Sequence, residues 1–254
     1  MRHTADSALI AQRRDRDNHS MRCACFSQVV KGQSLDEQAS SMSIGRAEFS
    51  AAIERYLHPF PLLVIISGPS GVGKDSVIKR MHELNHRFHF VVTATDRPPR
   101  PEEVDGIDYH FLNTGEFEEM IAEGELIEHA LVYGQHKGVP KAHVREALSS
   151  GLDVIMRIDV QGTVSIKRLI PQAVTIFLAP PSVDILVRRL RHRKGDSWQQ
   201  IQHRLETALA EMEQMKAFDY VVVNKEDKLD DAVHQIITII AAEKCRTARA
   251  EIVL

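Results

Sequence analysis

The chain has 254 residues, 43% hydrophobic and 26% charged, enough for one large folded domain or two small ones. A net charge of −3 leaves no global basic field for nucleic acid, and no apolar run approaches the ~20 residues of a membrane span. Three cysteines, Cys23, Cys25 and Cys245, make no disulfide framework and suit a reducing interior.

Residues 1–58 mix polar, charged and small side chains without a sustained period, as in "RRDRDNHS" and "GQSLDEQASS". A short amphipathic helix is expected in "RAEFSAAIERYL", Arg46 to Leu57. Arg2, Arg13, Arg14, Arg16 and Arg22 suit an organellar targeting peptide, whereas Asp6, Asp15 and Asp17 oppose one. A targeting peptide and a disordered tail therefore both stand. Pro59 and Pro61 bracket the entry to "LLVIIS" and mark a boundary. A folded domain is expected over 59–247, followed by a tail at 248–254.

From Leu62 onward, short apolar runs alternate with helical stretches. The strand-like runs are "LLVIIS", "FHFVVTAT", "ELIEHALVYG", "DVIMRIDV", "AVTIFLAP" and "DYVVVN". Helices are expected at 75–86, 114–123, 140–150, 161–170, 182–193, 198–216 and 227–247. Continuous β-branched runs separated by helices predict an α/β fold, with a buried, mainly parallel sheet flanked by helices.

After the first run comes "GPSGVGKDS", residues 68 to 76. Gly68, Gly73 and Lys74 fit G-x-x-x-x-G-K, between a strand and a helix. Glycines let backbone N–H groups approach phosphate oxygens, and the helix N-terminus favours negative charge. Asp75 stands where Ser or Thr would hold Mg²⁺, and Ser76 follows one place late. "HELNH", His82 to His86, matches a zinc-protease signature, but it ends a helix that runs into a strand. Solvated histidines are the expected reading there.

The next segment, "TATDRPPRPEEVDGIDYHF", holds Arg97 and Arg100 in a proline-stiffened turn. Two rigid guanidinium forks suit an oxyanion, and Tyr109 can add a hydroxyl. "LIEHA" sets Glu128 among apolar residues, where a carboxylate can accept two parallel N–H bonds such as the edge of guanine offers. In "VRRLRHRKGDSWQQIQHRLE", Arg188, Arg189, Arg191, Arg193 and Arg204 lie on two helices that could close over a triphosphate.

From Leu62 to about Glu243, these segments in this order resemble the guanylate kinase family. "GPSGVGKD", "RPPRPEEVDGIDYHF", "ELIEHA", "DVQG" and "DYVVVN" carry the likeness. It is strongest to the organellar type of plants and algae. The resemblance implies a P-loop NTPase-type core, a β-rich GMP-binding flap at about 92–132 and a helical lid at about 182–216. It implies an ATP-dependent kinase of GMP that uses Mg²⁺ and works as a monomer, in a chloroplast or mitochondrion, with the cytoplasm as the alternative.

Residue by residue, the resemblance assigns ATP to Gly68, Pro69, Ser70, Gly71, Val72, Gly73, Lys74, Asp75 and Ser76, with Asn224 touching adenine. It assigns the GMP phosphate to Arg97, Arg100 and Tyr109, and guanine to Thr93 and Glu128. Asp159 would orient GMP or a magnesium-bound water. Lys74, Arg189, Arg193 and Arg204 would neutralise the transferring phosphoryl group. Glu102 replaces a usual Gly, Lys137-Gly138-Val139 replaces Tyr-Gly-Ser/Thr, and Arg157 replaces an Asp. The alternatives are another small-molecule kinase, such as one for a ribose bisphosphate, or an inactive guanylate-kinase-like binding module.

Asp75 and Arg157 depart from the family pattern together. Asp75 in the first turn of a helix would repel ATP phosphates unless neutralised, and Arg157 ends a neighbouring strand. The expectation is an ion pair beneath the phosphate loop, with Asp75 a possible Mg²⁺ contact, directly or through water.

Overall fold

The computed structural model of the chain describes residues 49, 50, 53, 54, 56–84, 87–101, 103–132, 134–191, 198–252 and 254. The chain divides into Met1–Leu57 and His58–Leu254, and all elements below belong to the second unit. In the first, the described residues are helical and fall within the expected Arg46–Leu57 helix.

Strand β1 (Leu63–Ser67) is buried along its whole length. It feeds helix α1 (Lys74–Glu83), then β2 (Phe88–Phe90), β3 (Ala94–Thr95) and β4 (His110–Phe111). Helix α2 (Thr114–Ala122) follows, opened by a capping box between Asn113 and Glu116. Next come β5 (Leu126–Val132), β6 (Gln135–Pro140), α3 (Lys141–Ser149), β7 (Asp153–Arg157), α4 (Val160–Leu169) and β8 (Val174–Ala179). Helices α5 (Val183–Arg191) and α6 (Trp198–Glu213), strand β9 (Tyr220–Val223) and helix α7 (Leu229–Lys244) complete the unit.

The main sheet runs β2-β7-β1-β8-β9, and every pairing in it is parallel. Side-chain alternation along β1 builds two cores. Leu62, Val64 and Ile66 pack with Val77 and Met81 of α1 and Val233, Ile236 and Ile240 of α7. Leu63 and Ile65 face the other way, into Val144 and Ala147 of α3 and Ile166 of α4. A sheet covered on both faces needs apolar residues at successive positions, which is why β1 and β8 read as unbroken runs.

The second sheet, β4-β3-β6-β5, departs from the expected continuous runs. "FHFVVTAT" was expected as one strand, but it is split between the edge of the main sheet, as β2, and the second sheet, as β3. "LIEHALV" pairs antiparallel with β6 rather than joining the main sheet. Neither β6 nor β4 was expected. β6 reads "QHKGVP", with a glycine and a proline that weaken a strand signal. Ala94, Phe117 and Leu126 form this flap's own small core. In the lid, Leu186, Leu190, Ile201 and Ala208 pack α5 on α6. Arg193 lies between these helices, outside the described residues.

The segment expected as a tail is packed against the domain. Ile252 is buried in the cluster that holds Leu63 and Ile166, and Arg249 pairs with the buried carboxylate of Glu243.

Candidate nucleotide-binding site

The main sheet presents its C-terminal strand ends to one cleft. β1 has later strands on both sides, so chain connections diverge there and leave room for a ligand. Gly68 leaves β1 at φ +139°, and a Cβ there would lie 2.2 Å from the Leu178 carbonyl oxygen. Gly73 has φ +98°, and its Cβ would lie 2.5 Å from Asn224 Nδ2. Only glycine fits either place. The turn is clamped from outside. Asn224 Nδ2 donates to the Val72 carbonyl at 2.8 Å, and Arg189 donates to the carbonyls of Val72 at 3.1 Å and Asn224 at 3.0 Å.

Lys74 opens α1 and is half-buried at the wall of the cleft. Its Nζ donates to Gly68 O at 2.5 Å and Pro69 O at 3.2 Å. Burial pulls its pKa down to about 8, against the opposing pull of Glu211 and Asp75. Lys74 thus folds back over the loop and holds its charge at the cleft.

The cleft has a volume of about 890 Å³. It gathers Gly68, Pro69, Ser70, Gly71, Gly73, Lys74, Asp75 and Ser76 of the loop, Arg189 and Arg204 of the lid, and Asn224. It also gathers Thr93, Arg97, Arg100, Tyr109, Glu128 and Asp159 of the expected second half-site. Val72 is the exception: its side chain is in the core and its carbonyl is taken by Asn224 and Arg189. Asn224 and Arg189 therefore brace the loop as well as facing the cleft. Arg204 lies 3.5 Å from Ser70 Oγ, joining the lid to the loop.

In the second half-site, Glu128 on β5 is only 8% exposed. Burial, then the neighbouring Asp159, pushes its pKa up to about 7. Gly162 backs it: a Cβ there would lie 2.8 Å from the Glu128 carboxyl carbon. Asp159 caps α4 by accepting the Gly162 N–H at 2.9 Å. Thr93 is buried nearby in the same cleft.

Arg97 is held more tightly than its sequence context suggested. Its two terminal nitrogens each donate at 2.6 Å to Glu103, a fork-on-fork ion pair, and Arg100 stands 3.6 Å from the same carboxylate. Glu103 lies six residues beyond Arg97, and its role was not foreseen. Glu211 on α6 was missed too. It lines the cleft, and its Oε2 is buried without a hydrogen-bond partner. Nothing in its surroundings in sequence marks it; only the fold of the lid brings it to Lys74. Lys137 faces the cleft, whereas Val139 is fully buried in the core, so the Ser/Thr contact that the resemblance implies there is absent.

The expected Asp75–Arg157 pair is present: Arg157 Nη1 donates to Asp75 Oδ1. Asp75 remains 60% exposed on its side chain and lines the cleft with Asp159. Among the described residues, no three His, Cys, Asp or Glu side chains gather into a metal cage. Asp75 beside the loop and Asp159 at the start of α4, in one cleft, nonetheless fit Mg²⁺, which usually takes one or two carboxylates and completes its shell with phosphate and water. Of the histidine motif, His82 is stacked on Phe90 at 3.6 Å, and His86 lies outside the described residues.

The comparisons with known proteins agree with this geometry. A family model described as guanylate kinase matches residues 61–243. The protein named guanylate kinase 2, chloroplastic/mitochondrial, of Oryza sativa subsp. japonica is 48% identical over 189 residues, covering 74% of this chain and 66% of that one. The guanylate kinase of Rickettsia bellii is 41% identical over 183 residues, covering 72% of this chain and 95% of its own. The crystal structure of guanylate kinase from Anaplasma phagocytophilum superposes with a TM-score of 0.63 at 30% identity, covering 75% of this chain and 89% of that one. With the loop, the flap and the lid arranged about one cleft, the chain belongs to the guanylate kinase family.

Proposed function

We propose that the chain transfers the γ-phosphoryl group of ATP to GMP, giving ADP and GDP. The observation that carries this reading is the meeting, in one cleft, of the Lys74 loop with the buried Thr93–Glu128 pocket and the Arg97–Arg100–Tyr109 turn. The loop offers backbone N–H groups and a lysine to a polyphosphate. The Glu128 carboxylate offers two acceptor oxygens to the paired N–H groups of guanine, and adenine presents no such pair. A monophosphate then reaches Arg100, Tyr109 and the edge of Arg97 that Glu103 leaves open.

An oxygen of the GMP phosphate attacks the γ-phosphorus, and the bond to the β–γ bridging oxygen breaks. The acceptor is already anionic at neutral pH, so the site needs no strong general base. Its contribution is alignment and neutralisation of spreading charge, by Lys74 from the loop and Arg189 and Arg204 from the lid. Mg²⁺, held beside Asp75 and Asp159, would neutralise the β- and γ-phosphates. Lid closure would exclude water as a competing acceptor. A monomer suffices in this reading, because the cleft draws all these groups from one chain. Likeness to a relative named chloroplastic/mitochondrial also supports work in an organelle, which a fluorescent fusion to residues 1–58 tests directly. Incubation with ATP, Mg²⁺ and GMP should give equimolar ADP and GDP by chromatography. ADP without GDP would refute the reading.

A further inference from the structure

Arg157 ends β7 with its side chain only 16% exposed, and three contacts from two separate parts of the site meet on its guanidinium. Nη1 donates to Asp75, in the first turn of α1 and next to Lys74. Nη2 donates at 3.2 Å to the carbonyl of Asp108, in the turn that carries Tyr109. The guanidinium carbon stands 4.9 Å from the centre of the Tyr109 ring, which Arg97 approaches to 4.8 Å. The turn is itself braced, since Asp108 and Asp105 accept the N–H groups of Val104 and Phe111 at 2.9 Å. One rigid side chain on the core sheet therefore holds both the donor loop's helix and the acceptor turn.

Resting on the ATP and GMP half-sites proposed above, we propose that Arg157 is a positioning residue that couples them, so that nucleotide at the phosphate loop tightens binding of GMP under the flap. Charge alone does not account for the arrangement. A planar guanidinium presents several N–H groups in fixed directions and can stack on a ring at the same time. A lysine ammonium is a single point charge on a flexible stem and cannot span Asp75, the Asp108 carbonyl and the Tyr109 ring together. A shift of α1 on filling the loop would reach the Tyr109 turn through Arg157. By linkage, GMP must then tighten ATP by the same factor.

The test measures GMP affinity by calorimetry, with and without the β,γ-imido analogue of ATP and Mg²⁺. The wild-type chain should bind GMP roughly fivefold or more tighter with the analogue present, the lower end of ordinary coupling between sites. Arg157→Met should bring that ratio close to one, and Arg157→Lys should fail to restore it. Asp75→Asn, at a mostly exposed side chain, should also lower the ratio and serves if Arg157→Met does not fold. A wild-type ratio of one, or a wild-type ratio kept in any of the variants that fold, overturns the coupling role. Failure of the wild-type chain to bind or convert GMP would instead refute the proposed function.

Discussion

Glu128→Gln separates recognition of guanine from the stability of the fold. The wild-type carboxyl is buried on β5 against Gly162 and beside Asp159, and its pKa is raised from 4.5 to about 7. Guanine presents two donors, which only the ionised form satisfies in full. Glutamine keeps one acceptor and turns an NH₂ group toward the second donor. A buried polar mismatch of this kind costs about 1–3 kcal/mol, or roughly 5- to 150-fold in affinity for GMP. The pH profile gives a second magnitude. With the raised value of about 7, wild-type affinity should fall about tenfold at pH 6 from its limit above pH 8, because the proton must first leave. The glutamine variant should show no such fall. The sign for folding is opposite. A carboxyl whose folded pKa is raised stabilises the protein below its ordinary value, and that contribution is lost as pH rises through about 7. At pH 8 the variant should therefore melt higher than the wild-type chain while binding GMP less well. Calorimetry at pH 6, 7 and 8, beside thermal melts, reads all three effects. An unchanged GMP affinity, or the same pH profile in the variant, would refute the role of Glu128.

Lys74→Ala should abolish turnover while GMP still binds, since Lys74 contacts the loop and faces the donor phosphates; parallel loss of GMP binding in calorimetry would contradict separable half-sites. With the pKa of Lys74 lowered to about 8, ATP should bind the free enzyme about tenfold more weakly at pH 9 than below pH 7, a trend that titrations with ATP alone will show. Lys137→Met removes a cation from the cleft wall and should lower kcat/KM for GMP roughly tenfold or more, read in initial rates at subsaturating GMP. Deleting 248–254 removes buried Ile252 and the Arg249 partner of Glu243; losing about 2 kcal/mol of apolar burial should lower Tm by roughly 4–8 °C in a thermal melt.

The parallel core was legible because a strand covered on both faces must be apolar at every position. β1 and β8 satisfy that rule, and the helix after the loop begins where Gly73 and Lys74 place it. The flap was less legible for the same physical reason. β3 and β4 have only two residues each, β5 and β6 are partly solvated, and β6 carries Lys137, Gly138 and Pro140, so period and propensity are weak. Local motifs located the loop, the arginine turn and Glu128. Pairing across distant segments was legible only once, for Asp75 and Arg157, because two departures from the family pattern compensate each other in charge. Glu211 had no such signal. It comes to Lys74 from the far end of α6, and only packing of the lid brings the two together. Glu103 was visible as an acid near two arginines, yet its fork-on-fork grip on Arg97 depends on the folded turn.

The most direct measurement of the account is the initial rate of ADP release with ATP and Mg²⁺ and, in turn, GMP, AMP and a ribose bisphosphate as acceptor. The buried Glu128 pocket beside the Lys74 loop predicts turnover with GMP, far slower turnover with AMP and none with the sugar phosphate. Comparable rates with AMP, a preference for the sugar phosphate, or no turnover with any acceptor would contradict it.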